Sequence, residues 1–309
     1  MFTTKPGGLR TGANGRRGKR RRMQRSPISR LIPAGTLTSI RGQTPAGFDR
    51  RVLHTYETGS PDASPIVFLH GGGLSSKSWY PVIERLPEFH CLAPDLPGHG
   101  RSQDLPFSLT GSAQGVASLI REKCPRHRAH LVGLSLGGAV ILTLLRLTPE
   151  LAGHVILTGS SGRLPRWLVG MSMPLFSILK FMKPATLVRS TLRQQGIPDR
   201  HYDLLYDDLI SSSRIPFLRR MFVELTTLEM PREVSAPLLV CVGEKDPGGS
   251  RLYGGLSLKP LKQYPSARGA VMPGGAHAWP LQFPDVFADM VRAWVKDRPL
   301  PPVLRPVIA

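Results

Sequence analysis

The segment that most restricts the fold is His130-Leu131-Val132-Gly133-Leu134-Ser135-Leu136-Gly137-Gly138, with the apolar run to Leu147 behind it. Ala129 to Gly133 has the pattern of a buried strand, and Leu136 to Leu147 that of a helix. A strand that passes into a helix this abruptly forces Ser135 into a strained backbone conformation and exposes its hydroxyl at the bend. Side chains two positions to either side would collide there, so Gly133 and Gly137 meet a steric requirement. Gly138 lets the helix approach the sheet. Ser135 also adjoins a helix N-terminus, whose free N–H groups favour negative charge. A serine hydroxyl is a poor nucleophile until it is exposed beside a base. The bend supplies the exposure, and the base must come from elsewhere in the chain.

Strand and helix patterns alternate around the bend. Arg50 to Tyr56, Ile66 to Leu69, Cys91 to Ala93 and Val155 to Thr158 have strand patterns. Ser78 to Leu86 and Ser108 to Glu122 have helical ones, the second with Thr110 or Ser112 as a cap. Such alternation predicts an α/β fold, a mostly parallel central sheet with helices on both faces. From Arg163 to about Arg232 the strand pattern disappears, leaving amphipathic stretches broken by Pro165, Pro174, Pro184, Pro198 and Pro216. It returns with a strand over Pro237 to Val242, a helix over Arg251 to Tyr264, a strand over Gly269 to Met272 and a helix over Pro284 to Lys296. The expected organisation is a core over residues 47–162 and 233–297, interrupted by an inserted helical cap over 163–232. Residues 298–309 form a proline-rich tail, expected to be an extended strap.

The net charge of +20 is unevenly spread. Residues 1–30 carry Lys5, Arg10, Arg16, Arg17, Lys19, Arg20, Arg21, Arg22, Arg25 and Arg30, and no acid. Without hydrophobic periodicity, residues 1–35 are expected to be a disordered basic arm. Weak, non-specific contacts with anionic surfaces follow from that charge, and a specific nucleic-acid partner does not. No apolar segment follows the arginines as in a secretory signal, although the composition also suits a transit peptide and Met23 is an alternative start. No apolar run reaches the roughly 18 residues of a spanning helix. The nearest, Leu168 to Met182, contains Pro174, Lys180 and two serines, and is expected to be a buried or groove-lining helix pair. Cys91, Cys124 and Cys241 make neither a disulfide framework nor a CxxC pair, which fits a reducing, cytoplasmic setting. No metal or cofactor is expected.

Four stretches in order along the chain resemble the α/β-hydrolase family, over about Phe48 to Lys296. They are His70-Gly71-Gly72-Gly73, Pro94-Asp95-Leu96-Pro97-Gly98-His99-Gly100-Arg101-Ser102, the bend at Ser135, and Gly274-Gly275-Ala276-His277. The resemblance implies Ser135 as nucleophile, His277 as general base and Asp246 as the acid that orients it, in the chain order this fold uses. Glu244, two residues earlier, is the alternative acid. His70 and His99 are expected to shape loops, Asp95 to tie its loop through backbone hydrogen bonds, and Asp285 to open the last helix. The oxyanion hole falls to the N–H groups of Leu136 and Gly72, a role Gly73 can exchange with Gly72. The apolar cluster from Trp167 to Met182 would in part face the pocket.

The expected activity is hydrolysis of a carboxylic ester or lactone of a small, largely apolar substrate. Relatives with an aspartate nucleophile act on epoxides or haloalkanes, which Ser135 disfavours. Carbon–carbon-bond hydrolases, acyltransferases, peroxidase-like members and ligand-binding receptors of the same fold stay open.

Overall fold

The computed structural model describes residues 53–160, 163–167, 169–170, 181–246, 263–264 and 266–307. The expected basic arm, nearly all of the helix expected over Arg251 to Tyr264, and most of the stretch from Leu168 to Met182 lie outside the described residues.

In chain order the elements are β1 (Thr55–Thr58), β2 (Pro65–Leu69), α1 (Tyr80–Ile83), β3 (His90–Pro94), α2 (Leu109–Lys123), β4 (Ala129–Leu134), α3 (Leu136–Leu147) and β5 (Ala152–Thr158). They continue with α4 (Pro184–Gln195), α5 (Tyr202–Ser212), α6 (Ile215–Thr226), β6 (Leu238–Gly243), β7 (Arg268–Met272), α7 (Trp279–Gln282), α8 (Pro284–Val295) and β8 (Arg305–Val307). The sheet order is β1-β3-β2-β4-β5-β6-β7-β8. Strands β3 through β7 run parallel, and only the edge strands β1 and β8 are antiparallel to their neighbours.

The inner strands are apolar without alternation because helices cover both faces. Val67, Leu69, Leu131, Val155 and Val240 pack with α2 and α3 on one side. Ile66, Phe68, Val132, Ile156 and Leu239 meet Phe287, Met290 and Val291 of α8 on the other. The chain crosses from β2 outward to β3 and then back past β2 to β4. This reversal leaves the carboxyl ends of β2 and β4 side by side, with Leu69 in register with Gly133. A crevice at such a switch point is where open α/β sheets place their chemistry.

Two local expectations are corrected, and a third is made more specific. Ser78 to Leu86 is not one helix: a 3-10 turn over Ser76–Trp79 precedes α1. Pro81 cannot lie in a helix interior, so the α-helix has to begin just before it. The cap of α2 is neither Thr110 nor Ser112 but Ser108, whose hydroxyl accepts from Gly111 N at 3.0 Å. Within the tail, residues 305–307 form β8 along β7, and Pro306 is tolerated because an edge strand needs no outward donor.

Between β5 and β6 the described regular structure is helical, α4 to α6. Arg163 Nε donates to Thr226 O at 2.8 Å, Leu164 N to Leu225 O at 3.0 Å, and Ala278 N to Gln195 O at 3.0 Å. No helix among the described residues is long and apolar enough to cross a membrane.

Candidate active site

Ser135 stands between β4 and α3 with φ 51° and ψ −107°, a conformation that a non-glycine residue adopts only when its surroundings impose it. Each flanking glycine has an identifiable obstacle. A Cβ on Gly137 would lie 2.1 Å from Leu69 O, and one on Gly133 would lie 2.7 Å from the backbone of Gly137 and Gly138. A Cβ on Gly138 would meet the side chain of Ser160 at 2.5 Å. Ser135 N donates to Thr158 O at 2.8 Å, which fastens the bend to the end of β5.

Asp246 and His277 come from the loops after β6 and β7. Beyond the ladder the loops stay joined, Glu244 N donating to Met272 O at 2.9 Å and Lys245 N to Gly275 O at 2.7 Å. His277 Nδ1 lies 3.1 Å from Asp246 Oδ2, and the Asp246 side chain is only 2% exposed against 25% for His277. Gly159, at φ +59°, directly follows the Thr158 that holds Ser135. A Cβ at 159 would sit 2.9 Å from His277 Cε1 and 3.5 Å from Asp246 Oδ2. The ring and its carboxylate therefore lie against the residue next to the one that holds the serine backbone. Among the described residues, no hydrogen bond joins the Ser135 hydroxyl to the His277 ring. Gly159 was not singled out from the sequence, where its signal is a glycine at the carboxyl end of a buried strand.

Glu244 points elsewhere. Its carboxylate accepts from Gly274 N at 2.8 Å and pairs with Arg305 at 3.1 Å. The Gly274 amide, then Arg305, holds it below the usual range for glutamate. The carboxylate facing His277 is thus Asp246.

The loop after β2 turns over Gly71–Leu74, with Leu74 N donating to Gly71 O at 3.2 Å. Gly73 has φ +82° at the third position, where such a turn requires glycine. A Cβ on Gly72 would lie 2.8 Å from Met221 Sδ and 3.9 Å from Leu136 Cβ, so Gly72 and Leu136 are neighbours beneath a methionine of α6.

His70 is fully buried; Nδ1 donates to Gly71 O at 2.9 Å and Nε2 accepts from Leu96 N at 2.9 Å. One partner can only accept and the other can only donate, which fixes a neutral tautomer. Burial also pulls the ring below its ordinary pKa. His99 is held well below its ordinary value by burial, its Nδ1 donating to Pro97 O at 3.1 Å. His70 thus joins its loop to the one after β3, while the His99 hydrogen bond stays within its own loop. Asp95 accepts from Ser76 N and Arg101 N, each at 2.8 Å, as a structural tie does. Asp285 sits in the first turn of α8 and pairs with Arg85. Among the described residues no group of three or more His, Cys, Asp or Glu could hold a metal ion.

The family model described as the alpha/beta hydrolase family matches residues 66–290, and the chain belongs to that family. It is 26% identical over 290 residues to an AB hydrolase superfamily protein of Gibberella zeae, covering 89% of this chain and 97% of that one. It is 30% identical over 266 residues to a pimeloyl-[acyl-carrier protein] methyl ester esterase of Yersinia pseudotuberculosis, covering 77% and 95%. Among solved structures it resembles the enol-lactonase of Burkholderia xenovorans, with a TM-score of 0.65 and 18% identity over 79% of this chain and 96% of that one. A thermophilic esterase of Thermogutta terrifontis gives 0.63, with 21% identity over 79% and 93%. At these identities the structural likeness is one of fold.

Proposed function

We propose that the chain is a serine hydrolase that cleaves a carboxylic ester or lactone of a small, largely apolar substrate through an acyl-enzyme. The observation that carries this reading is the His277–Asp246 pair lying against Gly159, next to the Thr158 carbonyl that takes the Ser135 N–H. In this reading Asp246 accepts from Nδ1–H of His277 and fixes the tautomer whose other nitrogen is a base. That nitrogen takes the proton as Ser135 Oγ attacks the carbonyl carbon, and the carbonyl electron pair becomes an oxyanion. The N–H groups of Leu136 and Gly72 receive it. Collapse expels the alcohol, protonated by His277. Water, deprotonated by the same ring, then releases the acid and restores Ser135.

Ester chemistry is favoured by the named activities of the Yersinia esterase and the Burkholderia enol-lactonase. An apolar substrate is favoured by Met221 beside Gly72 and Leu136. The inserted helices, within residues 163–232, act as the cap over this site.

Nitrophenyl esters of graded chain length, run beside small lactones, test the proposal. Turnover is expected in the wild type, with a loss on the order of 10^4 for Asp246→Asn and more for Ser135→Ala. A Ser135→Ala variant as fast as the wild type would end the proposal.

A further inference from the structure

Helix α5 reaches across to the loop that carries Gly72, and it does so with a buried carboxylate. Asp208 is only 5% exposed. Its Oδ2 accepts from the Ser75 hydroxyl, and its Oδ1 lies 3.3 Å from Lys77 Nζ. Ser75 in turn accepts from Lys77 N at 3.3 Å and caps the turn over Ser76–Trp79. One helical turn beyond Asp208, the Ser212 hydroxyl lies 3.0 Å from Gly73 O and also within reach of the Asp208 carbonyl. Asp95, directly after β3, takes Ser76 N. The loop is therefore clamped between one carboxylate from the end of β3 and another from an inserted helix.

A buried carboxylate is costly unless it is paired and hydrogen-bonded, and simple docking of α5 does not require one. Leu205 and Leu209 of the same helix are already buried in the core, and Leu209 lies against Gly73. What Asp208 and Ser212 add is directional: they fix Gly73 inside the turn and Ser75 directly after it, in a turn whose Gly72 N–H has to point at one place.

We infer that Asp208 is a positioning residue for the reaction: by holding Ser75 and Lys77 it sets the Gly71–Leu74 turn so that Gly72 N–H aims at the developing oxyanion. The inference rests on the reading of Gly72 as an oxyanion donor. It makes the inserted helices part of transition-state stabilisation as well as a cover.

The test compares wild type, Asp208→Asn and Ser75→Ala on nitrophenyl butyrate and on a trifluoromethyl ketone of the same acyl length. Attack of Ser135 Oγ on that ketone forms a C–O bond, leaves an oxyanion in the hole and passes the hydroxyl proton to His277. Misaiming one donor should lower kcat and ketone affinity together, by tenfold to a hundredfold (order of magnitude) in Asp208→Asn and by less in Ser75→Ala. KM should stay within about threefold, and the pH profile of kcat/KM should not move, because His277 and Asp246 are untouched. Folded variants that keep wild-type kcat and ketone affinity overturn the inference, as does a loss confined to KM. Should Asp208→Asn fail to fold, Ser75→Ala decides, since it removes the bridge and leaves Asp208 paired with Lys77. A wild type that neither turns over ester nor is labelled at Ser135 overturns the earlier reading instead.

Discussion

Ser135 adopts a backbone conformation that costs about 1–3 kcal/mol, and neighbouring backbone imposes it. Gly137 is the most exacting neighbour, because the atom it would strike is the Leu69 carbonyl, fixed within β2. Gly137→Ala should therefore cost at least 1–3 kcal/mol, the usual range for overpacking, and urea unfolding against wild type measures it. The sequence made the need for glycine here clear, but not that the end of the neighbouring strand β2 creates it. The sequence likewise left both Asp246 and Glu244 as carboxylates for the proposed base; in the structure Asp246 faces His277, and Glu244 bonds Gly274 and Arg305. A second prediction concerns Glu57, which accepts from His90 Nε2 at 2.8 Å and Lys123 Nζ at 3.1 Å. Burial pushes its carboxyl up, but His90 and Lys123 outweigh burial and hold it below the ordinary 4.5. With the folded value lowered, the unfolded chain binds the proton first; the stabilisation is present above the unfolded value and lost as pH falls through the folded one. Glu57→Gln should cost roughly 1 kcal/mol at neutral pH after solvent screening. The deficit should shrink below about pH 4, and a deficit that does not vary with pH contradicts this assignment.

At the scale of elements, α2 is capped twice. Ser108 accepts from Gly111 N, and Glu224 of α6 accepts from Leu109 N at 2.8 Å. Ser108→Ala and Glu224→Ala should each cost about 1 kcal/mol in thermal or urea unfolding. Sequence pattern placed the helix well but chose the wrong cap, because Thr110 and Ser112 are equally plausible cap residues by type. The Glu224 cap was out of reach of any local pattern, its partner lying 115 residues away. The edge strand β8 was missed for a different reason: three residues around Pro306 do not make a strand signal. Arg305 of that strand pairs with Glu244, and Leu304 before it is buried. Truncation after Pro302 should therefore lower Tm by several degrees and promote aggregation through the exposed edge of β7. Unchanged Tm and solubility contradict that role.

Across the whole molecule, the alternation of apolar runs and amphipathic stretches was enough to name the α/β class, since a parallel sheet covered on both faces leaves that record in every inner strand. Order across the sheet was not legible, because the side on which each crossover lands is settled by packing of α2, α3 and α8. The site follows from that order, which sets β2 beside β4 and so the Gly72 loop beside the Ser135 bend. The most direct measurement is intact-mass and peptide mapping of the native protein after reaction with a fluorophosphonate. A single adduct on the peptide containing Ser135 is expected, absent from Ser135→Ala and from urea-unfolded protein. A native, folded protein that stays unlabelled, or carries its adduct on another residue, contradicts the account.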